Sequence, residues 1–457
     1  MKHYKRALVL GLGTSGVAAA RCLVRERTSV TAVDRANTPL LRRRAAALRK
    51  LGVRVILGAT ALPKATGVDN RKRATGFDIC IVSPGIRSDS QWIKDIETKG
   101  VQVISEIELG ASRCKRPILA VTGSKGKSTL VKLIVEAMSV AGFRAAPAGN
   151  YGVPLCDVVA KSSRLDWIVV EVSSFQLENV KHFRPRVGVL LNLQPDHLDR
   201  HMSMLTYARL KARIFAKMSG PDVGVVPFDI SKRVIGMAGG RNRWVTFGLS
   251  RRTDYRYKDG KVYFKDNGRL SALSFEGTMF ANDILGSAAA AAIAAVRACG
   301  IEANAVEKAA RTFKPLPHRM SEVASINDVR FVNDSKATSL TALSAGVKMC
   351  GTPVRLIAGG LLKEKNLALA QKVLERAVKR VYLIGQASGE MAKTWKHFVP
   401  CRFCVDLKTA VFAAFKDSKP GETVLLSPGC ASFDQFDNFE DRGNQFIKIV
   451  RLLDEEK

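Results

Sequence analysis

With 457 residues the chain is too long for one ordinary core and fits two to four domains. Its composition, 46% hydrophobic and 25% charged, excludes fibrous and disordered classes, and no apolar run is long enough to cross a bilayer. A formal charge of +32 attracts polyanions, but the excess is spread along the chain, as in Arg42-Arg-Arg44, Arg71-Lys-Arg73 and Arg251-Arg252. There is no recognition helix or cluster of stacking aromatics, so no dedicated nucleic-acid role is expected. Nine scattered cysteines make no disulfide framework and read as free thiols in a reducing cytoplasm.

The basic start Met1-Lys-His-Tyr-Lys-Arg6 and the apolar stretch ending at Ala18-Ala-Ala20 imitate a secretory signal. Glycines at 11, 13 and 16 would break an export helix and have another use. Residues 7–10 form a short apolar strand, Gly11-Leu-Gly-Thr-Ser-Gly16 a glycine turn, and a helix is expected from Val17. A second strand, 29–33, ends at Asp34. Strand, glycine turn, helix, strand and acid are the opening of a doubly wound α/β domain, and also the dinucleotide fingerprint. Further strands are expected at 53–57, 79–82 and 101–104, and residues 62–76 read as a polar surface loop. This first domain spans 1–105.

A second domain, 106–315, opens with a strand at 118–121, a phosphate loop and a helix over 128–141. Strands at 167–170 and 187–191 end at acidic or polar residues, and 223–226, 245–248 and 255–264 read as β structure. The Ala-rich run 287–296 is a packed helix, too short to span a membrane. A third domain, 316–457, alternates strands at 329–332, 354–358, 380–384 and 423–426 with helices. Within it, Cys401-Arg-Phe-Cys404 has the spacing of half a zinc site, but no second pair or ligand-spaced His accompanies it.

The chemistry starts at Thr122-Gly-Ser-Lys-Gly-Lys-Ser128. Glycines let backbone N–H groups face phosphates, Lys127 supplies charge and Ser128 a hydroxyl for a metal. The loop is shorter than the general G-x4-G-K-[ST] form, since Val121 stands where the first glycine would be. Glu171 ends one apolar strand, and Asn192-Leu-Gln-Pro-Asp-His197 follows another, so a carboxylate and an imidazole reach the same sheet edge as the loop.

This compact loop, with Glu171 and His197 downstream, resembles that of the Mur ligase superfamily, which builds peptidoglycan precursors. The resemblance continues through Pro317-His-Arg319, Phe331-Val-Asn-Asp-Ser-Lys-Ala-Thr338, Gly359-Gly-Leu-Leu-Lys363 and Leu426-Ser-Pro-Gly-Cys-Ala-Ser432, ending at Phe446. It is similar to the glutamate-adding branch. It implies a three-domain α/β architecture: a Rossmann-like N-terminal domain, a P-loop central domain and a Rossmann-like C-terminal domain.

The implied activity is ATP- and magnesium-dependent addition of D-glutamate to UDP-N-acetylmuramoyl-L-alanine through an acyl phosphate, by a cytoplasmic monomer. Lys127, His197 and Lys211 would serve catalysis, and Lys211 matches a lysine that the family carbamylates. Gly123, Ser124, Lys125, Gly126, Lys127, Ser128, Thr129, Asn282, Arg319, Asp334 and Lys336 would bind ATP. Thr14, Ser15, Gly16, Asp34, Ser83, Pro84, Gly85, Asn150 and Gln176 would bind the UDP substrate. Thr338, Lys363, Ser432 and Phe439 would bind glutamate. Ser128, Glu171, His197 and carbamylated Lys211 would hold magnesium.

Several positions depart from the family pattern. Lys125 replaces an Asn in the loop, Ala281 a His, Leu285 and Ser339 each an Asn, and Leu361-Leu362 with Asn366 a more acidic stretch. Two alternatives stay open: a sister ligase using another amino acid or L-glutamate, and a nucleotide-binding protein with weakened catalysis.

Overall fold

The computed structural model describes residues 3–63, 76–351, 353–362, 364 and 366–455. The chain divides into two compact units, Met1–Phe313 and Lys314–Lys457. The basic stretch 64–75 within the expected surface loop lies outside the described residues.

The first unit contains two sheets. The smaller is all parallel, in the order Arg54–Leu57, Ser29–Asp34, Arg6–Leu10, Ile79–Val82, Gln102–Ser105. Its central strands are continuous apolar runs because both faces are covered: Ala7 to Leu10 and Ile79 to Val82 are all buried. Leu10 is in register with both Val33 and Val82, so Gly11, Asp34 and Ser83 leave the sheet side by side. That edge is where the strand order reverses, the ordinary ligand position of an open α/β sheet. The first helix begins at Thr14, earlier than expected. Gly16 therefore sits in its first turn, where a Cβ would overlap the Gly11 carbonyl. The third glycine serves close strand–helix packing.

The larger sheet has nine strands. From one edge they run Ala145–Gly149, Trp167–Glu171, Ile118–Thr122, Val187–Leu190, Ser219–Pro227, Arg241–Gly248, Tyr255–Lys258, Lys261–Asp266 and Arg269–Ser274. The first seven pair in parallel and the last three form antiparallel hairpins. Val121 pairs with Glu171 and Thr122 with Leu190, so the phosphate loop emerges between those two strand ends. The Ala-rich segment is one helix, Asp283–Ala298, buried from Leu285 through Val296 apart from Ser287. No described helix is long and apolar enough to cross a membrane.

The second unit holds a six-stranded sheet, ordered Ser321–Ile326, Val329–Asn333, Thr423–Leu426, Val354–Gly359, Val378–Ile384, Cys401–Phe403. Only the first pair is antiparallel. Leu426 is in register with both Asn333 and Ile357, which brings the segments after Asn333, Leu426 and Gly359 to one edge. Cys401 packs against the core on one side of this sheet and Cys404 belongs to the core on the other. The two thiols therefore face apart and do not converge on one ion.

Candidate functional site

In the first unit the phosphate loop joins strand Ile118–Thr122 to helix Lys127–Val140. Its turn needs left-handed backbone at Gly126 (φ 80°), which glycine adopts without strain. Ser128, in the first helical turn, donates to Glu171 Oε2 at 2.6 Å, and Asn150 Nδ2 donates to Glu171 Oε1 at 2.6 Å. Glu171 is buried at its strand end, so both carboxylate oxygens have polar partners where water is excluded. Lys127 Nζ folds over the loop, donating to the carbonyls of Gly123 (2.9 Å) and Ser124 (3.0 Å). Oxygen donors on Ser128 and Glu171 suit a hard divalent cation.

Lys211 comes from helix Met204–Ala212 and is fully buried behind the loop, with Nζ 2.8 Å from the Gly123 carbonyl. Burial, then the nearby charge of Lys127, pushes its ammonium well below the ordinary lysine range. The free amine, which is the nucleophilic form, is thereby favoured.

The segment after Leu190 is laced to the loop. Asn192 Oδ1 accepts from the N–H groups of Ser124 and Lys125, both at 3.0 Å, and Asn192 Nδ2 donates to the Lys125 carbonyl at 3.0 Å. The Ser124 hydroxyl donates to the Gln194 carbonyl and accepts from Gln194 N–H (both 2.9 Å) and from the Tyr207 hydroxyl (3.1 Å). Lys125 Nζ lies 3.1 Å from Asp196 Oδ2, and the same oxygen lies 3.7 Å from His197 Nε2. His197 has a left-handed backbone (φ 54°), its side chain is 47% exposed, and its ring packs against Phe175 at 4.7 Å.

The other edge site of this unit is built around Asp34. Its carboxylate accepts from Leu12 N–H (2.8 Å) and Ala36 N–H (2.9 Å), fixing the glycine turn. Ser83 Oγ donates to the Gly11 carbonyl at 2.8 Å, tying the 83–85 turn to the same place. Thr14 and Ser15 stand at the start of a helix whose cap, Gly13, has no side chain to satisfy the first N–H groups. Such a terminus suits an anionic group. Arg200 links this edge to the larger sheet: it donates to the carbonyls of Pro84 (2.8 Å) and Ile86 (2.9 Å) and pairs with Glu178 at 2.6 Å.

In the second unit Asp334 is buried. Its oxygens accept from Ser427 Oγ (3.0 Å) and Met320 N–H (3.3 Å). Burial pushes its carboxyl up to about 7, against the opposing hydrogen bonds and the charge of Arg319. Arg319 lies between two left-handed residues, His318 (φ 59°) and Met320 (φ 49°). Asn333 Nδ2 lies 3.1 Å from His318 Nδ1 and donates to the Gly443 carbonyl at 2.9 Å. Lys336 Nζ sits 3.5 Å from the centre of the Phe439 ring, a cation–π contact. Beneath them Arg442 is fully buried, donating to Ser335 Oγ, the Ser335 carbonyl and the Cys430 carbonyl.

Three family models match in sequence order: the MurD-like N-terminal domain of Mur ligases at residues 5–105, the Mur ligase middle domain at 121–299, and the Mur ligase glutamate ligase domain at 318–430. The chain is 36% identical to the UDP-N-acetylmuramoylalanine–D-glutamate ligase of Caldanaerobacter subterraneus subsp. tengcongensis, and 37% identical to that of Pelotomaculum thermopropionicum. Each match covers 98% of both chains. The chain belongs to the Mur ligase family. Solved structures share its fold: the UDP-N-acetylmuramate-alanine ligase MurC of Thermotoga maritima has a TM-score of 0.57 at 17% identity, covering 98% and 99% of the two chains. The MurF ligase of Thermotoga maritima, solved in complex with ADP, has a TM-score of 0.59 at 16% identity, covering 84% and 90%.

In this Mur ligase the first unit brings together Gly123 to Thr129, Glu171, Asn150, His197 and Lys211 around the loop, and Thr14, Ser15, Gly16, Asp34 and Ser83 to Gly85 around the glycine turn. Two expected contacts have local structural work. Gln176 is buried in a capping box with Ser173, and Asn282 caps helix Asp283–Ala298 through Ile284 and Leu285 N–H. In the second unit Arg319, Asp334, Lys336, Thr338, Ser432 and Phe439 lie on the segments that leave one sheet edge or pack on it. Lys363 lies outside the described residues.

Two departures have a structural reason. Ser339 caps helix Leu340–Cys350, and Leu285 is buried in its helix. Sequence reasoning missed the clamp by Asn192, the support from Tyr207 and the buried Arg442. An Asn two residues beyond a buried strand, beside a glycine loop with unpaired N–H groups, was the available signal for the first.

Proposed function

We propose that this chain uses ATP to join D-glutamate to UDP-N-acetylmuramoyl-L-alanine, in the cytoplasm and as a monomer. The activity is that named for the relatives matched over 98% of both chains. The observation that carries it here is the cluster of Lys127, Ser128 and Glu171, with an ammonium over the loop and a hydroxyl–carboxylate pair at 2.6 Å. A carboxylate is a poor electrophile, so the terminal phosphoryl group of ATP passes to the substrate carboxylate. The glutamate amine attacks the acyl phosphate, and phosphate leaves.

Lys127 leaves the loop carbonyls for the phosphate oxygens and opposes charge on the transferred group. Ser128 and Glu171 would hold magnesium, with His197 and a carbamate on Lys211 at the same edge; the ion would supply further charge neutralisation when bound. Asp34, the Thr14–Gly16 turn and Ser83 to Gly85 would bind the UDP portion. Asn150, held against Glu171, would be within reach of the acyl end. Arg319, Asp334 and Lys336 would serve ATP. Thr338, Lys363, Ser432 and Phe439 would serve glutamate.

An ADP-release assay with UDP-N-acetylmuramoyl-L-alanine and a panel of amino acids tests the reading. D-glutamate should support turnover and L-glutamate should not. Lys127→Ala should lower kcat by about a hundredfold or more, the scale of losing one charge-stabilising donor. Substrate-dependent ADP release that survives the substitution would exclude the proposed mechanism.

A further inference from the structure

The loop carries a second lysine whose geometry differs from that of Lys127. Lys127 Nζ rests on backbone carbonyls of its own loop, whereas Lys125 Nζ reaches across to Asp196 at 3.1 Å. Asp196 is only 16% exposed, and its Oδ2 also faces His197 Nε2 at 3.7 Å. The 192–197 segment is thus attached to the phosphate loop at three points: the Asn192 amide, the Ser124 hydroxyl with Gln194, and the Lys125–Asp196 ion pair. The first two hold the segment near its start. The third holds its far end, next to an exposed imidazole on left-handed backbone whose ring also packs on Phe175.

We propose that Lys125 is a positioning residue: it anchors Asp196, and Asp196 sets where His197 stands relative to the phosphate loop. This rests on the nucleotide-binding reading above. The surroundings favour a strap over a simple surface pair. Exposed ion pairs contribute little because both side chains stay solvated and mobile. Here the carboxylate is largely sheltered, and the backbone at Lys125 is clamped on both its N–H and its carbonyl by Asn192. The lysine starts from a fixed point, so less of its pairing energy is lost to ordering the chain.

Charge balance also explains why the loop tolerates the lysine. Lys125, Lys127 and Lys211 crowd around Gly123 to Lys127, and Asp196 and Glu171 are the carboxylates that act on Lys211 alongside them. An Asn at 125 would leave Asp196 without that cation.

The test is a double-mutant cycle on the full chain: Lys125→Asn, Asp196→Asn and the double variant, with Lys125→Arg as the conservative change. Two readouts are taken, the metal dependence of ADP binding by calorimetry and the split of kcat against KM for ATP. If the strap positions His197, each single substitution raises the metal concentration needed for half-maximal ADP binding by about five- to thirtyfold. The double variant is then no worse than the weaker single, and Lys125→Arg recovers most of the effect. Multiplied effects in the double variant, or an unchanged metal dependence in Lys125→Asn, would overturn the strap and mark Lys125 as an independent phosphate contact or a bystander. If the unsubstituted chain binds no ADP, the nucleotide-binding reading itself is overturned, so the two failures are told apart.

Discussion

A carboxyl whose titration is raised by burial makes stability depend on pH in the direction opposite to that of a carboxylate whose titration is lowered by an ion pair. The Asp334 carboxyl is pushed from 3.8 up to about 7, with burial as the main cause. Between those limits the folded second unit binds a proton that the unfolded chain has released, so stability falls as pH rises through the window. The full effect above it is on the order of 4 kcal/mol for this group alone. Asp334→Asn removes the titration while keeping an acceptor for Met320 N–H. Urea unfolding without nucleotide should show the variant gaining on the parent as pH is raised from about 4 to about 7.5. A constant difference across that range would show that Asp334 titrates normally.

What the sequence revealed at this scale followed the chemistry. Lys127, Ser128 and Glu171 were legible because a phosphate loop fixes their spacing and a strand end fixes the acid. Asn192 was legible only as a motif letter. Its two bonds to loop N–H groups arise from the pairing of Val187–Leu190 with Ile118–Thr122, which no local pattern encodes.

Among the elements, helix Asp283–Ala298 shows how packing overrides propensity. Replacing a glycine within a helix by alanine ordinarily adds up to about 1 kcal/mol of stability. Gly286, however, lies against the buried Tyr257 ring, and a Cβ there would overlap three of its carbons. Overpacking of this kind costs about 1–3 kcal/mol, so Gly286→Ala should destabilise the first unit by up to about 2 kcal/mol net. A smaller residue in place of Tyr257 should relieve much of that cost in a thermal-unfolding cycle. A stabilised single variant would refute the contact.

Apolar strands flanked by polar ends were readable, and Ile79–Val82 and Thr423–Leu426 have the expected bounds. Four strands were not. Ala145–Gly149 is built from Ala, Pro and Gly at a sheet edge, and Cys401–Phe403 is a three-residue edge strand. Ser321–Ile326 and Arg269–Ser274 are also edge strands, with exposure that breaks the two-residue alternation: Glu322 and Ser325 are exposed in the first, and Arg269, Leu270 and Ala272 in the second. Such segments are strands because a neighbour offers hydrogen bonds, a property of the tertiary fold and not of the segment.

For the molecule as a whole, 73 basic and 41 acidic side chains mean that the positive excess cannot be paired off one for one within the chain. Arg200–Glu178 and Arg355–Glu422 are sheltered pairs with fixed partners. Arg42, Arg43, Arg251 and Arg252 are exposed and contribute to a field beyond the surface. Both nucleotide substrates proposed here are anions, so a net positive field raises their encounter rate without touching the chemical step. Salt shortens the field's reach to about 10 Å at 0.1 M and to less above it. Raising KCl from about 20 mM to about 300 mM should therefore lower kcat/KM for ATP several-fold while kcat changes little. The separation matters because a local ion pair such as Lys125–Asp196 is also salt-sensitive. Weakening of that pair would appear in Lys125→Asn as a lost part of the salt response, whereas steering by the whole surface would persist in the variant. A kcat/KM that is flat with salt would show that the field does not act on substrate capture, leaving the excess charge as a determinant of solubility alone.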